Sequence, residues 1–241
     1  MNRKTVFGPI HSRRLGRSLG INLLPFKTCS LDCVYCECGA TTDLTLQRQE
    51  FVPLDQVRKE LDAFFDSGVP FDYVTFSGLG EPTLYSRIGG IIRHVKNRRP
   101  DARICLLTNA TLLDIMGDEL DGLDLIVPSL DGSCEEEFRT VNRPAPGLTL
   151  EKLVRDIAEF RKMHPRITMW LEIFIVPGVN DSDDSVNRFR KLIGQIAPDK
   201  VQLNSLDRKG AVDWIRVPPA GRMQEIQTVF AEICPTEIIH A

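Results

Sequence analysis

The sequence lacks any apolar run of the about 20 residues that a membrane-spanning helix needs, and its longest candidate, residues 169–177, is interrupted by Glu172. The N-terminus carries no apolar segment of the kind found in secretory signals. A strong charge of one sign is also missing, since the formal net charge is −3 over 241 residues. Wholesale non-specific binding to nucleic acid is therefore not expected, and we predict a cytoplasmic protein with no membrane partner.

Because disulfides are rare in the cytoplasm, the seven cysteines are better explained as metal ligands or catalytic groups. Three of them, Cys29, Cys33 and Cys36, fall within eight residues at the spacing C-x3-C-x2-C. Three thiolates are one fewer than usually hold an iron–sulfur cluster, so a cubane bound here would keep one iron open for an outside ligand. A zinc site completed by Cys38 is the alternative, although zinc ligands usually come as two separated pairs.

Apolar residues alternate between strand and helix periods about six times along the chain. Such alternation is typical of βαβ units and a parallel sheet. A closed eightfold barrel takes ~250 residues, and only six units are countable here. We predict strands at 18–24, 72–77, 103–108, 123–130, 167–176 and 200–206, and helices at 53–67, 88–95, 112–120, 150–160, 182–196 and 221–233.

The predicted fold class is α/β, as a partial (β/α)6 TIM-like barrel in one domain. The barrel covers residues 18–206 and is followed by a C-terminal tail and helix at 207–241. Residues 1–17 form a basic N-terminal extension, with Arg3, Arg13 and Arg14 and no acidic residue before Asp32. Residues 1–20 are polar and glycine-punctuated, so little regular structure is expected there.

The carboxyl ends of parallel strands form one rim, which is where sites of such folds lie. In this sequence, small, acidic and amide side chains follow each predicted strand. The cysteines follow the first strand. The later strands are followed, in chain order, by Gly78, Gly80 and Glu81, by Asn109, by Ser129 and Asp131, by Asn180, and by Asn204 and Asp207.

The cysteine motif, with Tyr35 before its last cysteine, resembles the signature of the radical S-adenosylmethionine (SAM) superfamily. The segment 78–82, Gly-Leu-Gly-Glu-Pro, is similar to the family's Gly-Gly-Glu motif after the second strand, and Ser129-Leu130-Asp131 is similar to its fourth-strand motif. Residues 8–22 resemble the N-terminus of "Fe–S oxidoreductases" related to wyosine-type tRNA base synthases. The resemblance covers nearly the whole chain.

The resemblance implies a [4Fe–4S] cluster held by Cys29, Cys33 and Cys36, with its open iron chelated by SAM. An external donor of the flavodoxin or ferredoxin type reduces the cluster, SAM is cleaved to methionine and a 5′-deoxyadenosyl radical, and the radical takes hydrogen from an unidentified substrate. That substrate could be a tRNA base, a small molecule or a peptide.

The resemblance also implies cofactor-binding roles for the rim residues. Gly78 and Gly80 let the backbone approach the methionine part of SAM, and the Glu81 carboxylate or the carbonyls of its loop accept hydrogen bonds from the ammonium. The other cofactor contacts implied are Ser129 and Asp131 at the ribose or carboxylate, Tyr35 and the backbone near Asn204 at the adenine, and Asn109 and Asn180 on the rim.

Some features depart from the family pattern. The usual Thr-Asn-Gly after the third strand reads Thr-Asn-Ala here, ending at Ala110, and no extra cysteines for a second cluster precede Cys29. Two alternatives stay open. A glycyl-radical-enzyme activase usually has Asp-x-Lys after the fourth strand, which is absent here. A non-enzymatic iron–sulfur or zinc protein would use Cys38 as a fourth ligand. Glu172 is either a barrel-interior residue that touches cofactor or substrate, or an exposed edge residue.

Overall fold

A parallel sheet forms the centre of the computed structural model, which describes residues 4–239. In chain order, the strands are β1 Val6–Ser12, β2 Gly16–Ile21, β3 Thr28–Cys29, β4 Asp43–Leu44, β5 Tyr73–Phe76, β6 Arg103–Thr108, β7 Leu125–Pro128, β8 Thr168–Phe174, β9 Lys200–Asn204 and β10 Thr236–Ile238. The α-helices are α1 Leu54–Asp66, α2 Ile88–Arg98, α3 Glu135–Asn142, α4 Leu150–Met163, α5 Asp183–Ile196 and α6 Ala220–Ala231.

Within the described residues, the main sheet has the order β1-β2-β5-β6-β7-β8-β9-β10 and does not close on itself. Every neighbouring pair from β2 to β10 is parallel, whereas β1 pairs antiparallel with β2. The strands β3 and β4 form a separate parallel pair beside the rim. The predicted partial barrel of parallel strands in a single domain is therefore confirmed.

The helices cover the outer face of the sheet, and their apolar stripes form the core. In α4 the stripe includes Leu153, Ile157 and Phe160, which are all buried. The Thr149 hydroxyl accepts a hydrogen bond from the Lys152 N–H and so marks the start of α4. Burial of such stripes, at roughly 25 cal/mol per Å² of apolar surface, holds the helices against the strands and fixes the strand ends as a common rim.

The expectation of little regular structure near the N-terminus is wrong, because β1 and β2 form a hairpin that joins the sheet through β2. The Phe7 ring packs directly on Gly20 of the opposite strand, since a Cβ on Gly20 would lie only 2.1 Å from this ring. The carboxylate of Glu60 in α1 accepts hydrogen bonds from the N–H groups of Thr5 and Val6 and thereby anchors the hairpin. Arg3 lies outside the described residues.

Other elements also differ from the prediction. The helix expected at 112–120 consists of two short 3₁₀ helices, Leu113–Ile115 and Gly117–Leu120, because Gly117 takes a positive φ of 47° that ends a continuous helix. The helix α3 and the short strands β3, β4 and β10 were not predicted. No helix among residues 4–239 is long and apolar enough to cross a membrane.

Candidate metal centre

The loop that carries the three clustered cysteines begins at Cys29, the last residue of β3, and is held from one side by α3. The N–H of Asp32 donates to the Asn142 carbonyl at 2.9 Å, and the N–H of Val34 donates to the Val141 carbonyl at 2.9 Å. The end of α3 therefore fixes the middle of the loop. No sequence pattern signals this contact, since α3 is separated from the loop by about a hundred residues along the chain.

Each of the three predicted ligands receives a hydrogen bond from a different residue, and the three donors lie in separate segments of the chain. The Lys27 ammonium donates to Cys36 Sγ at 3.0 Å, Asn142 Nδ2 to Cys33 Sγ at 3.3 Å, and Asn109 Nδ2 to Cys29 Sγ at 3.5 Å. Hydrogen bonds to ligand sulfurs are one of the levers that set the reduction potential of an iron–sulfur cluster. Lys27 and Asn142 are site residues that the sequence reasoning missed.

The pKa shifts of the three cysteines are consistent with thiolates that bind a positively charged group. Burial raises the pKa of Cys29 to about 11 and raises the pKa of Cys33 well above its usual value. The hydrogen bond with Cys38 and then that from Lys27 lower the pKa of Cys36, against the effect of burial. Buried thiols become thiolates readily only when a cation such as iron compensates the charge. Three such thiols in one loop, each with an N–H donor, therefore suit an iron–sulfur cluster.

The fourth cysteine of the loop, Cys38, lies beside the predicted ligands. Its thiol is hydrogen-bonded to Cys36 and lies 3.8 Å from the Gly78 carbonyl oxygen. Among the residues that the structure describes, no group of three or more His, Cys, Asp or Glu side chains is arranged to hold a single metal ion.

The glycines after β5 permit close packing of their loop against the cysteine loop. Gly78 has a φ of 138°, and a Cβ there would lie 2.5 Å from Asn22 Oδ1. A Cβ on Gly80 would lie 1.9 Å from the carbonyl oxygen of Thr28, the residue before Cys29. The close approach that the structure shows is therefore between the two loops, which brings the Gly78 carbonyl oxygen within 3.8 Å of the Cys38 sulfur.

Substitution of Gly80 by alanine is expected to destabilise the fold by roughly 1–3 kcal/mol, since the new Cβ overlaps a backbone oxygen. Displacement of Thr28 should also lower the iron content of the reconstituted protein. The matched control is Gly194→Ala, because Gly194 lies in α5 with nothing within 4 Å of an added Cβ and should gain up to about 1 kcal/mol. Urea unfolding of both variants checks this, and equal stabilities would contradict it.

The Glu81 carboxylate is 2% exposed and already has protein donors on both oxygens. One oxygen accepts hydrogen bonds from the Thr83 N–H and from the hydroxyls of Thr83 and Thr108, and the other accepts one from the Asn109 N–H at 2.7 Å. This carboxylate ties the loop after β5 to the loop after β6. Of the two acceptors predicted for the cofactor ammonium, the carboxylate is therefore the one already occupied by protein donors.

The side chain of Asp131, which is 1% exposed, joins three parts of the rim. Its carboxylate accepts hydrogen bonds from the Tyr35 hydroxyl at 2.6 Å, from Asn142 Nδ2 at 2.7 Å and from the Phe174 N–H at 2.9 Å. The Tyr35 ring stacks on the Phe174 ring with centroids 3.9 Å apart. Asp131 therefore positions Tyr35 directly and Cys33 through Asn142, while its own oxygens are occupied.

Burial raises the pKa of Asp131 to about 6 from a usual value of 3.8. Since the folded state then holds the proton more tightly than the unfolded state, this group makes stability fall as pH rises from about 4 to about 6. The loss, relative to Asp131→Asn, should reach about 3 kcal/mol at most. Denaturant unfolding of the two cluster-free chains across this range measures it, and a pH-independent difference would contradict the assignment.

The remaining amides predicted on the rim also have protein partners. Asn180 is fully buried, donates to the carbonyls of Asp131 and Phe174, and accepts a hydrogen bond from the Val176 N–H. Its role is to shape the turn after β8. Asn204 is partly exposed, and its Nδ2 donates to Glu172 Oε2 at 3.3 Å.

The curved inner side of the open sheet is called the half-barrel here. A cavity of about 600 Å³ opens inside it, near the carboxyl ends of the strands. Ser129 and Ser77 lie on its wall, and their hydroxyl groups make no hydrogen bond with another described residue. Glu172 also faces this cavity, so its interior placement, one of the two alternatives predicted, is the one found. The other lining residues include Glu37, Thr108, Asp207, Arg208 and residues 10–15 of the hairpin.

The isolated cysteines lie away from the cysteine loop. Cys105 and Cys234 are buried in apolar surroundings, and Cys134 is the residue that precedes α3. His11 lines the cavity on the hairpin side. The structure thus brings together the cysteine loop, the Gly78–Glu81 loop, Asn109, Ser129, Asp131 and Tyr35, and gives Asn180 a purely structural set of contacts.

Comparison with known proteins agrees with this arrangement. Residues 23–189 match the family model of the radical SAM superfamily. A UPF0026 protein of Methanocaldococcus jannaschii is 32% identical over 232 residues, which cover 94% of this chain and 71% of that protein. A protein of Brachyspira hyodysenteriae named GTPase Obg is 33% identical over 240 residues, and the chain spans 35% of its length.

A solved structure with a similar fold is that of TYW1 with a lysine-pyruvate adduct bound. It has a TM-score of 0.68 and 14% sequence identity, and the match covers 92% of this chain and 76% of that one. At this identity the likeness concerns the fold alone. It agrees with the open parallel sheet described above.

Proposed function

Because the chain belongs to the radical SAM superfamily, we propose that Cys29, Cys33 and Cys36 hold the [4Fe–4S] cluster of this enzyme and leave one iron for SAM. The observation that carries the proposal is the separate N–H donor on each of these three sulfurs. The cluster and SAM together supply one-electron cleavage of a C–S bond and a 5′-deoxyadenosyl radical that abstracts hydrogen from the substrate. The protein orients these groups and excludes water.

The residues around the loop have complementary roles in this proposal. The carbonyls of Gly78 and Leu79 accept hydrogen bonds from the SAM ammonium, and the free hydroxyl of Ser129 serves its ribose or carboxylate. The stacked rings of Tyr35 and Phe174 offer an aromatic surface beside the adenine. Asp131 and Glu81 hold these groups in place rather than contact the cofactor, since their oxygens are already occupied.

The ion pairs of the hairpin support one substrate class over another. Its arginines would be the phosphate contacts of a tRNA substrate, yet Arg13 forms an ion pair with Asp207 at 3.5 Å and Arg14 forms one with Glu172. Their charges are compensated within the protein, which favours a small molecule over tRNA base modification. The electron comes from an external, cytoplasmic donor of the flavodoxin or ferredoxin type.

The test is anaerobic reconstitution with iron and sulfide, reduction with dithionite, and assay for 5′-deoxyadenosine after addition of SAM. The proposal predicts 5′-deoxyadenosine from the reconstituted protein and none without reductant. A closed, non-enzymatic cluster predicts that none is formed under either condition. That outcome, beside normal production by a known radical SAM enzyme, would contradict the proposal.

A further inference from the structure

A largely buried ion pair lies inside the half-barrel, between Arg14 in the turn of the hairpin and Glu172 on β8. The two side chains form a direct contact, and each is only 13% exposed. Both line the cavity. A pair so far removed from water costs desolvation energy on both ions, which makes it a poor choice for stability alone.

The hairpin does not depend on this pair to stay in place. On one side, the Glu60 carboxylate accepts three hydrogen bonds from Thr5 and Val6. On the other, Arg17 forms a bidentate contact with Asp72, at 3.1 and 2.8 Å. Leu15 is buried against the apolar side chains of the half-barrel. These contacts anchor the hairpin, so the charges of Arg14 and Glu172 call for another explanation.

The pair also lies close to the place where the radical would form. Glu172 forms a parallel bridge with Ser129. Side chains two residues apart on a strand share a face, and two residues after Glu172 comes Phe174, whose ring stacks on Tyr35. The pair therefore lies one layer beneath the aromatic surface proposed for the adenine, within reach of a substrate held in the cavity.

We propose that the cavity binds a small zwitterion of the amino-acid type, with its carboxylate on Arg14 and its ammonium on Glu172. A ligand with one charge would leave the other member of the pair buried without an opposite charge, which is strongly unfavourable. A zwitterion replaces both partners at once. The other charges of the wall are balanced as well, since Arg13 pairs with Asp207 and Arg208 pairs with Glu37.

This inference rests on the proposed function, because it assigns the substrate class of the same cavity. It is tested by saturation-transfer NMR on the reconstituted enzyme saturated with SAM, which fills the methionine subsite. The probes are a set of proteinogenic L-amino acids, their N-acetyl derivatives, which keep only the carboxylate, and their amides, which keep only the ammonium. At least one free amino acid should bind at least about tenfold more tightly than either derivative, or ~1.4 kcal/mol.

Variants of Arg14 and Glu172 test which charged group of the ligand each side chain binds. Glu172→Gln should reduce the discrimination against the N-acetyl derivative, and Arg14→Gln should reduce the discrimination against the amide. The matched control is Arg190→Gln in α5, because Arg190 forms an exposed ion pair with Glu232 and does not line the cavity; its selectivity should equal that of the wild type. The wild-type comparison stands by itself if a variant fails to fold.

The two proposals fail in different ways. If the wild type forms 5′-deoxyadenosine but binds no free amino acid, or binds the derivatives equally well, the zwitterion inference is overturned and the proposed function stands. If it forms no 5′-deoxyadenosine, the proposed function fails on its own assay. Binding that survives unchanged in both variants would place the ligand elsewhere and likewise overturn the inference.

Discussion

Replacement of any one of Cys29, Cys33 or Cys36 by serine is expected to abolish the cluster and SAM cleavage together, whereas Cys38→Ser is expected to retain both. Each of the three sulfurs has its own N–H donor from Lys27, Asn109 or Asn142. A hydroxyl ligand binds iron of the cluster poorly, because such clusters are held by thiolates. Iron and sulfide content, visible absorbance and 5′-deoxyadenosine yield report the outcome.

The Cys38 variant is the matched control, since it removes a thiol from the same loop, in contact with Cys36. If Cys38→Ser loses its iron as fully as the other three variants, the assignment of three ligands is wrong and the closed-cluster alternative is correct. If one of the other three variants keeps a normal cluster, that residue is not a ligand.

Glu81→Ala is expected to destabilise the fold by about 3–5 kcal/mol, the largest effect of any single side chain on the rim. The change leaves the N–H groups of Thr83 and Asn109 and the hydroxyl of Thr108 without their acceptor, inside a site that is closed to water. Glu81→Gln keeps one acceptor oxygen and should cost roughly 1–3 kcal/mol. Urea unfolding of the cluster-free chains measures both.

The control for this prediction is Glu232→Ala. Glu232 pairs with Arg190 at 2.7 Å, but the two side chains are 55% and 43% exposed. Removal of an exposed ion pair should change the stability by less than about 1 kcal/mol. A loss of similar size in Glu81→Ala and Glu232→Ala would show that the Glu81 network does not hold the two loops together.

The sequence predicted those features of the site that depend on local order. Parallel strands place their carboxyl ends on one rim, so a motif that follows each strand is enough to locate Gly78, Glu81, Ser129 and Asp131 near the cysteines. The family resemblance then assigned them roles. The six central strands are predictable because strand and helix periods of apolar residues alternate along the sequence.

The features that the sequence did not predict depend on tertiary contacts. Asn142 reaches Cys33 only because α3 docks its last turn on the cysteine loop, and no periodic signal encodes that docking. The occupied oxygens of Asp131 and Glu81 follow from the packing of distant loops, so a motif assigned them to the cofactor instead. Ala110 takes a φ of 65°, which shows why the third-strand motif of the family usually has glycine at this position.

The hairpin shows the same limit. The polar sequence of its first strand carries no strand pattern, and the hairpin is held by partners far along the chain, among them Glu60 and Asp72. Those partners place Arg14 inside the half-barrel against Glu172. An arginine of the basic N-terminal extension is thus part of the cavity wall.

The central claim, a three-cysteine cluster with one iron open to SAM, is tested most directly by the electron paramagnetic resonance spectrum of the reduced cluster, recorded with and without SAM. The claim predicts that SAM shifts the spectrum of the wild type and of Cys38→Ser alike. A spectrum that SAM leaves unchanged in the wild type, and that shifts only when Cys38 is removed, would show a cluster closed by four cysteines and contradict the claim.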